Sequence, residues 1–196
     1  ISPVKKKYIS ILKERSNRLK VLIEDLFEVS KASSGNMELN MENIDLIALI
    51  RQTLGEFEEK IEKSTLSFIK EIPNDKVIIY ADGKKTFRVF QNIISNILKY
   101  SMDDSRVYIN VSEEEEFVCI VFRNISKYRL NMNEEEILER FKRGDSSRTT
   151  EGSGLGLAIA KSLIELQGGK FEVIIDGDLF KVRIMIRKEN KINLIN

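Results

Sequence analysis

The stretch Gly152-Ser153-Gly154-Leu155-Gly156-Leu157 sets three glycines at alternate positions directly ahead of an amphipathic run, Ala158, Ile159, Leu163, Ile164 and Leu166. A chain with this pattern must turn tightly and then enter a helix. Glycine lets the backbone bend and bring its N–H groups close to a ligand. The helix start adds unpaired N–H donors and the positive end of the helix dipole, a combination that suits phosphate. A glycine loop is also an ordinary structural turn, so the rest of the chain has to decide. The dinucleotide fingerprint requires glycines straight after a strand in the order G-x-G-x-x-G. Here the order is G-x-G-x-G, and Phe141 to Glu151 ahead of it is polar and loop-like. A P-loop needs Gly-Lys-Ser/Thr, whereas Ala160-Lys161-Ser162 lacks that glycine and falls inside the helix. The protein-kinase glycine loop fails with its missing H-R-D and D-F-G companions.

Between Lys84 and Tyr100, apolar residues recur at Phe87, Phe90, Ile94 and Ile97, with Ile93 and Leu98 beside them. That is helical spacing, and it predicts a mostly buried helix. Asn92, Asn96 and Lys99 recur at i, i+4 and i+7, one polar stripe on a helix otherwise committed to the core. Amide oxygens can ligate a hard cation such as Mg2+, which usually also takes waters and nucleotide phosphates. A lysine can neutralise phosphate charge. An ordinary solvent-facing stripe has the same spacing.

Length and charge narrow the function classes. A chain of 196 residues can hold one good-sized core and a small appendage. Thirty-two basic residues against 31 acidic ones give no global field to attract nucleic acid or an anionic membrane surface. No apolar run approaches the roughly 18 residues of a membrane span, and no signal peptide is visible. Cys119 lies in the apolar run Phe117–Phe122, so a buried strand thiol is expected. One cysteine makes no internal disulfide, which fits the cytoplasm, and with no histidine in the chain a Cys/His zinc site is excluded. The start at Ile1 rather than Met suggests a fragment or processed product.

Along the chain, Ile9, Leu12, Ser16, Leu19, Ile23, Leu26 and Ser30 trace a 3-4-3-4 seam of the kind that packs in a helical bundle. A helix lying on its own domain is the alternative. Ala32 to Asn36 ends that helix and reads as a hinge. The pattern then becomes mixed: a strand over Met37–Glu42, a helix capped by Asp45 and running from Leu46 to about Lys63, and strands at Leu66–Glu71 and Val77–Ala81 around a turn at Pro73-Asn74-Asp75. After the asparagine helix come strands at Val107–Ser112 and Phe117–Asn124, joined by the acidic turn Glu113–Glu116. A short helix at Glu134–Phe141 interrupts a long irregular stretch. The glycine-loop helix follows, then strands near Lys170–Ile175 and Phe180–Arg187 around an Asp176-Gly177-Asp178 turn. Residues 188–196 read as a frayed polar end. These elements predict an α+β chain: one helical layer over a mixed sheet, preceded by one long helix from a bundle.

Several segments in this order resemble the motifs of sensor histidine kinases. Gln91 to Ser101 looks like their N box, Glu139-Arg140-Phe141-Lys142-Arg143-Gly144-Asp145 like their F box, and Gly152 to Lys161 like their G2 box. Arg18 to Lys31 is similar to the second helix of their dimerisation and phosphotransfer domain. The resemblance spans roughly residues 8 to 187. It implies the α/β sandwich ATP-binding (Bergerat) fold shared with type II topoisomerases, Hsp90 chaperones and MutL proteins. It divides the chain into a partial dimerisation domain (1–34), a catalytic ATP-binding domain (35–190) and a tail (191–196).

Carried over residue by residue, the resemblance makes ATP and Mg2+ the expected ligands. Asn96 would ligate the metal, with Asn92 near the phosphates and Lys99 contacting them. Tyr100 would lie along the base or sugar. The stretch between Asn124 and Gly152 would be the ATP lid, with Phe141 anchoring its helix and Arg143 meeting the terminal phosphate. Arg148 would be a further phosphate contact or a solvated lid charge. Gly152, Ser153, Gly154, Leu155 and Gly156 would admit the phosphate chain. The G1 box departs from the pattern: where the family has D-x-G-x-G, this chain has Asn124-Ile125-Ser126-Lys127-Tyr128. Asn124 keeps an oxygen acceptor for the adenine amine but not the charge, and loss of both glycines stiffens the hinge.

The implied partners are a response regulator receiver domain and the enzyme's own dimerisation domain, which carries the phosphoacceptor histidine, in a full-length homodimer. No nucleic acid or membrane contact is expected within this chain, which would be the cytoplasmic part of a membrane-anchored sensor. Lacking histidine, the chain has no acceptor of its own. A catalytically silent nucleotide-binding or dimerisation module is the alternative. An ATPase of the gyrase or Hsp90 branch is disfavoured, because the position of their catalytic glutamate is Asn92.

Overall fold

A computed structural model of the chain describes residues 3–33, 37–130 and 155–188. Helix α1 (Pro3–Ser33) leads into β1 (Met41–Asp45), α2 (Leu46–Glu56), α3 (Glu58–Glu62), β2 (Ser67–Glu71) and β3 (Ile78–Asp82). Helix α4 (Gly83–Tyr100), β4 (Arg106–Glu113) and β5 (Phe117–Ile125) follow. The chain closes with α5 (Gly156–Leu166), β6 (Lys170–Asp176) and β7 (Leu179–Arg187). The main sheet has the order β2-β4-β5-β7-β6, with β2 parallel to β4 and every other pair antiparallel.

One face of this sheet carries the core. Val107, Ile109 and Val111 alternate along β4, Val118, Ile120 and Phe122 along β5, and Val182, Ile184 and Ile186 along β7, all buried. Their register stacks them: Phe122 opposes Ile109 on one side and Val182 on the other. Helix α4 lays Val89, Phe90, Ile93, Ile94 and Ile97 over this surface, and Phe90 meets Phe122 at 5.9 Å between ring centroids. Helices α2 and α5 flank α4 in the same layer, and α1 runs beside α5. The opposite face of the sheet is charged, with Arg183 between Glu114 (3.5 Å) and Glu172 (3.8 Å), and Arg123 near Glu71 (3.6 Å) and over the Tyr108 ring. The sheet therefore has one functional side available to the helices, which matches the expected helical layer over a mixed sheet.

Three expectations need correcting. The first strand lies at Met41–Asp45 rather than Met37–Glu42, and it pairs antiparallel with β3 in a separate two-stranded sheet. Asp45 ends that strand and caps α2 through Ile47 N (3.0 Å) and Ala48 N (3.2 Å), so strand and helix share a residue. The helix expected from Leu46 to Lys63 breaks at Phe57, whose N–H turns back to Leu54 O. Gly55 weakens the helix at that point, and Phe57 turns in to pack on the core. Lys188, expected in a frayed end, is pinned: its N–H donates to Glu116 O at 2.9 Å and its ammonium pairs with Glu113 at 3.2 Å. The acidic hairpin tip is thus partly neutralised. Cys119 is a buried free thiol, as expected. Residues 189–196 and the short helix expected at 134–141 lie outside the described residues.

Candidate functional site

Two helices meet where the sequence placed its polar stripe. Asp82 caps α4 by accepting from Lys85 N at 3.0 Å, and its other oxygen accepts from Asn40 N at 2.9 Å. With α4's apolar face on the sheet, Asn92, Asn96 and Lys99 fall on its half-buried flank. The start of α5 comes against this flank. A Cβ built on Gly156 would stand 3.6 Å from Asn92 Cγ and 3.7 Å from its Oδ1. The glycine therefore relieves no clash; it leaves open a space beside the Asn92 amide that a side chain would fill. Asn92 Nδ2 is buried and finds no partner among the described residues, a costly state for an amide donor unless a ligand or water accepts from it.

Among the described residues no side chain caps the start of α5, whereas α2 and α4 each have an aspartate in that role. An orphan amide donor beside a helix start that no described side chain caps is a pairing that fits an anion. Phosphate is the matching chemistry. Among the described residues no group of three or more His, Cys, Asp or Glu side chains could cage a metal. A cation at this place would thus rest on an amide oxygen such as Asn96 Oδ1 together with oxygens of a ligand, the mode Mg2+ favours.

The far end of α4 is stitched to the segment after β5. Met102 N donates to Ile125 O at 2.8 Å, Lys127 N donates to Tyr100 O at 3.0 Å, and Ser101 bridges Ser126. This brings Tyr100 edge-on to Tyr128, with ring centroids 6.4 Å apart. Lys99 Nζ stands 4.8 Å from the centre of the Tyr100 ring. Asn124 is only 4% exposed at the inner end of β5, opposite Phe180, with its Nδ2 3.5 Å from Ile125 O.

Of the residues singled out from the sequence, Asn92 meets Gly156, with Leu155 as the N-cap residue of α5. Tyr100 meets the segment beginning at Asn124, with Lys99 over its ring. Asn96 lies between these two contacts on the α4 flank. Arg143, Gly152, Ser153 and Gly154 lie outside the described residues, as do Phe141 and Arg148. Sequence reasoning missed the buried lock at the other end of the helix pair. There Gln167 Oε1 accepts from Asp82 N (2.8 Å) and Thr86 Oγ1 (3.2 Å), while Gln167 Nε2 donates to Leu163 O. This lock ties the end of α5 to the start of α4. Asp82 was legible as a cap preceding a helix; nothing local marked Gln167.

The arrangement defines a class of fold: a helical layer over a mixed sheet, with a half-buried polar flank where α4 meets the start of α5. Comparison with known proteins agrees. Residues 81–190 match the family model for histidine kinase-, DNA gyrase B- and HSP90-like ATPases, and the chain belongs to that family. The sensor histidine kinase WalK of Bacillus subtilis (strain 168) is 32% identical over 167 residues, covering 83% of this chain and 27% of the relative. The chain thus spans about a quarter of that relative's length. Among solved structures, full-length ShkA in complex with AMPPNP aligns with a TM-score of 0.78 at 18% identity, over 96% of this chain and 40% of that one. Histidine kinase ThkA in complex with the response regulator protein TrrA aligns with a TM-score of 0.72 at 24% identity, over 96% and 53%. At these identities the two structures speak for the fold alone. No helix among the described residues is long and apolar enough to cross a membrane.

Proposed function

We propose that the chain is the ATP-binding catalytic portion of a sensor protein-histidine kinase, passing the γ-phosphate of ATP to a histidine outside this chain for relay to a response regulator. The observation that carries the reading is the Asn92 amide beside the space left by Gly156, its buried Nδ2 without a partner among the described residues. In this reading residues 1–34 are the second helix of the dimerisation domain, 35–190 the catalytic domain and 191–196 a tail. The full-length protein pairs as a homodimer through the helix that α1 represents.

In this reading each residue of the site has its own task. Asn92 Nδ2 and the first-turn N–H groups of α5 donate to phosphate oxygens, and Lys99 adds a compact positive charge. Asn96 Oδ1 would hold Mg2+, which would supply neutralisation of the phosphate charge. Asn124 accepts from the adenine amine at the inner end of β5, and Tyr100 flanks the base. Arg143 and the glycines 152 to 154, with Ser153, complete the site from the lid. ThkA, whose fold this chain shares, was solved in complex with a response regulator, and the receiver-domain partner is proposed on that analogy. A silent module remains the second reading, because Ser126 and Tyr128 stand where the family has its hinge glycines.

Calorimetry and phosphotransfer test both readings. Asn96→Ala should weaken Mg2+-dependent ATP binding at least about tenfold while leaving magnesium-free binding and the fold little changed. Unchanged affinity would remove Asn96 from the metal site. Radiolabelled ATP should give acid-labile label on a separate, histidine-bearing dimerisation domain from the same protein and none on this chain alone. Intact ATP binding with no transfer to that matched acceptor would establish the silent module instead.

A further inference from the structure

Tyr128 is the one aromatic side chain in the segment where the family pattern has a glycine, and backbone bonds hold it on several sides. Its own N–H donates to Ser126 Oγ at 3.2 Å, and Ser126 N donates to Asp178 O at 2.8 Å. With the bonds from Met102 N to Ile125 O and from Lys127 N to Tyr100 O, the segment is anchored both to the end of α4 and to the β6–β7 turn. The Tyr128 ring is half-buried and meets Tyr100 at an interplanar angle of 64°. Lysine ammoniums lie over both rings, Lys99 at 4.8 Å from Tyr100 and Lys127 at 5.5 Å from Tyr128.

Two rings at this angle make a corner. A planar base laid on the face of one ring receives the edge of the other, the arrangement aromatic clusters prefer. The phosphate donors stand at the other end of the α4 flank, near Asn92 and Gly156, so base and phosphate recognition are separated along one helix. We infer that Tyr128 is the second wall of a base-binding corner formed with Tyr100, and that it sets how much of the nucleotide affinity comes from the base. This rests on the ATP-binding reading above. The backbone anchoring substitutes for the freedom the missing glycines would have given: the base side of the site is pre-formed.

The test compares MgATP with magnesium tripolyphosphate, a base-free probe, by calorimetry on the whole chain. Tyr128→Ala should weaken MgATP about tenfold and leave tripolyphosphate affinity unchanged. Tyr128→Phe should match the parent. Tyr128→Leu, which keeps apolar volume but no aromatic face, should repeat the selective loss and guards against a packing defect in the alanine variant. MgATP binding by Tyr128→Ala as tight as the parent's, or tighter, would overturn the inference, the latter making the ring a plug. Equal losses for MgATP and tripolyphosphate would overturn it too. A parent chain that binds tripolyphosphate but gains nothing from the base refutes the corner alone; one that binds neither probe refutes the ATP reading and the corner with it.

Discussion

Helices α1 and α4 carry similar apolar periodicities and meet opposite fates. In α4, Val89, Phe90, Ile93, Ile94 and Ile97 have at most 1% of their surface exposed, closed over by the sheet and by α2 and α5. In α1, Leu12 is 67% exposed and Leu26 62%, with Ile9, Leu19 and Ile23 about half exposed. Spacing states which face of a helix needs cover; it does not say which molecule supplies it. Helix α4 finds its cover within the chain, which lets its polar flank be held in a fixed place. Helix α1 keeps its apolar seam outward, the surface expected of a helix whose partners belong to a bundle.

The sharpest way to break this contrast is in the core of α4. Phe90→Ala removes a ring buried against Phe122 and should destabilise the chain by about 3–5 kcal/mol, read as a large fall in the denaturation midpoint at constant slope. A loss under about 1 kcal/mol would mean that α4 is not the central wall it is taken to be here.

What made α4 legible was the coincidence of two signals in one segment, an apolar face at 3.6-residue spacing and a polar stripe that this face left over. The strands around it were equally readable, because β4 and β7 bury alternate residues on one side only, and β5 departs from that alternation only at Cys119. Legibility failed where an element serves two purposes. Asp45 is both strand end and helix cap, so the boundary of β1 had no local mark. The break at Phe57 depends on a core contact, not on a proline or a polar cluster. On the site side, the Asn92, Asn96 and Lys99 flank followed from periodicity and the glycine run from its composition. Their meeting at Gly156, and the Tyr100–Tyr128 corner, needed the fold: the first joins residues more than sixty positions apart, the second depends on a backbone bridge between Ser101 and Ser126.

A smaller effect should separate the two helices at their starts. Helix α4 is fixed there by Asp82, which caps it, holds Asn40 N and passes a bond from its own N–H to Gln167; α1 has no acidic residue in its first turn. Asp82→Ala removes the cap and strands the Asn40 donor, a loss of about 1–3 kcal/mol. Asp82→Asn should recover most of it, since an amide oxygen still caps. If the two substitutions cost the same, the carboxylate's second bond, to Asn40, outweighs the cap.

The smallest expected effect is on α1, and it is the one that discriminates best between the helices. Leu26→Ala exchanges two good helix formers at a site where little surface is lost, so in dilute solution it should alter stability by no more than about 0.5 kcal/mol. The same leucine-to-alanine change in a covered position costs several times as much. Repeating the melt over a range of chain concentrations then asks whether anything covers the seam. A parent midpoint that rises with concentration, and a Leu26→Ala midpoint that does not, would show a second copy packing on α1. A large, concentration-independent loss would place Leu26 in an intramolecular contact, and the contrast between α1 and α4 would collapse.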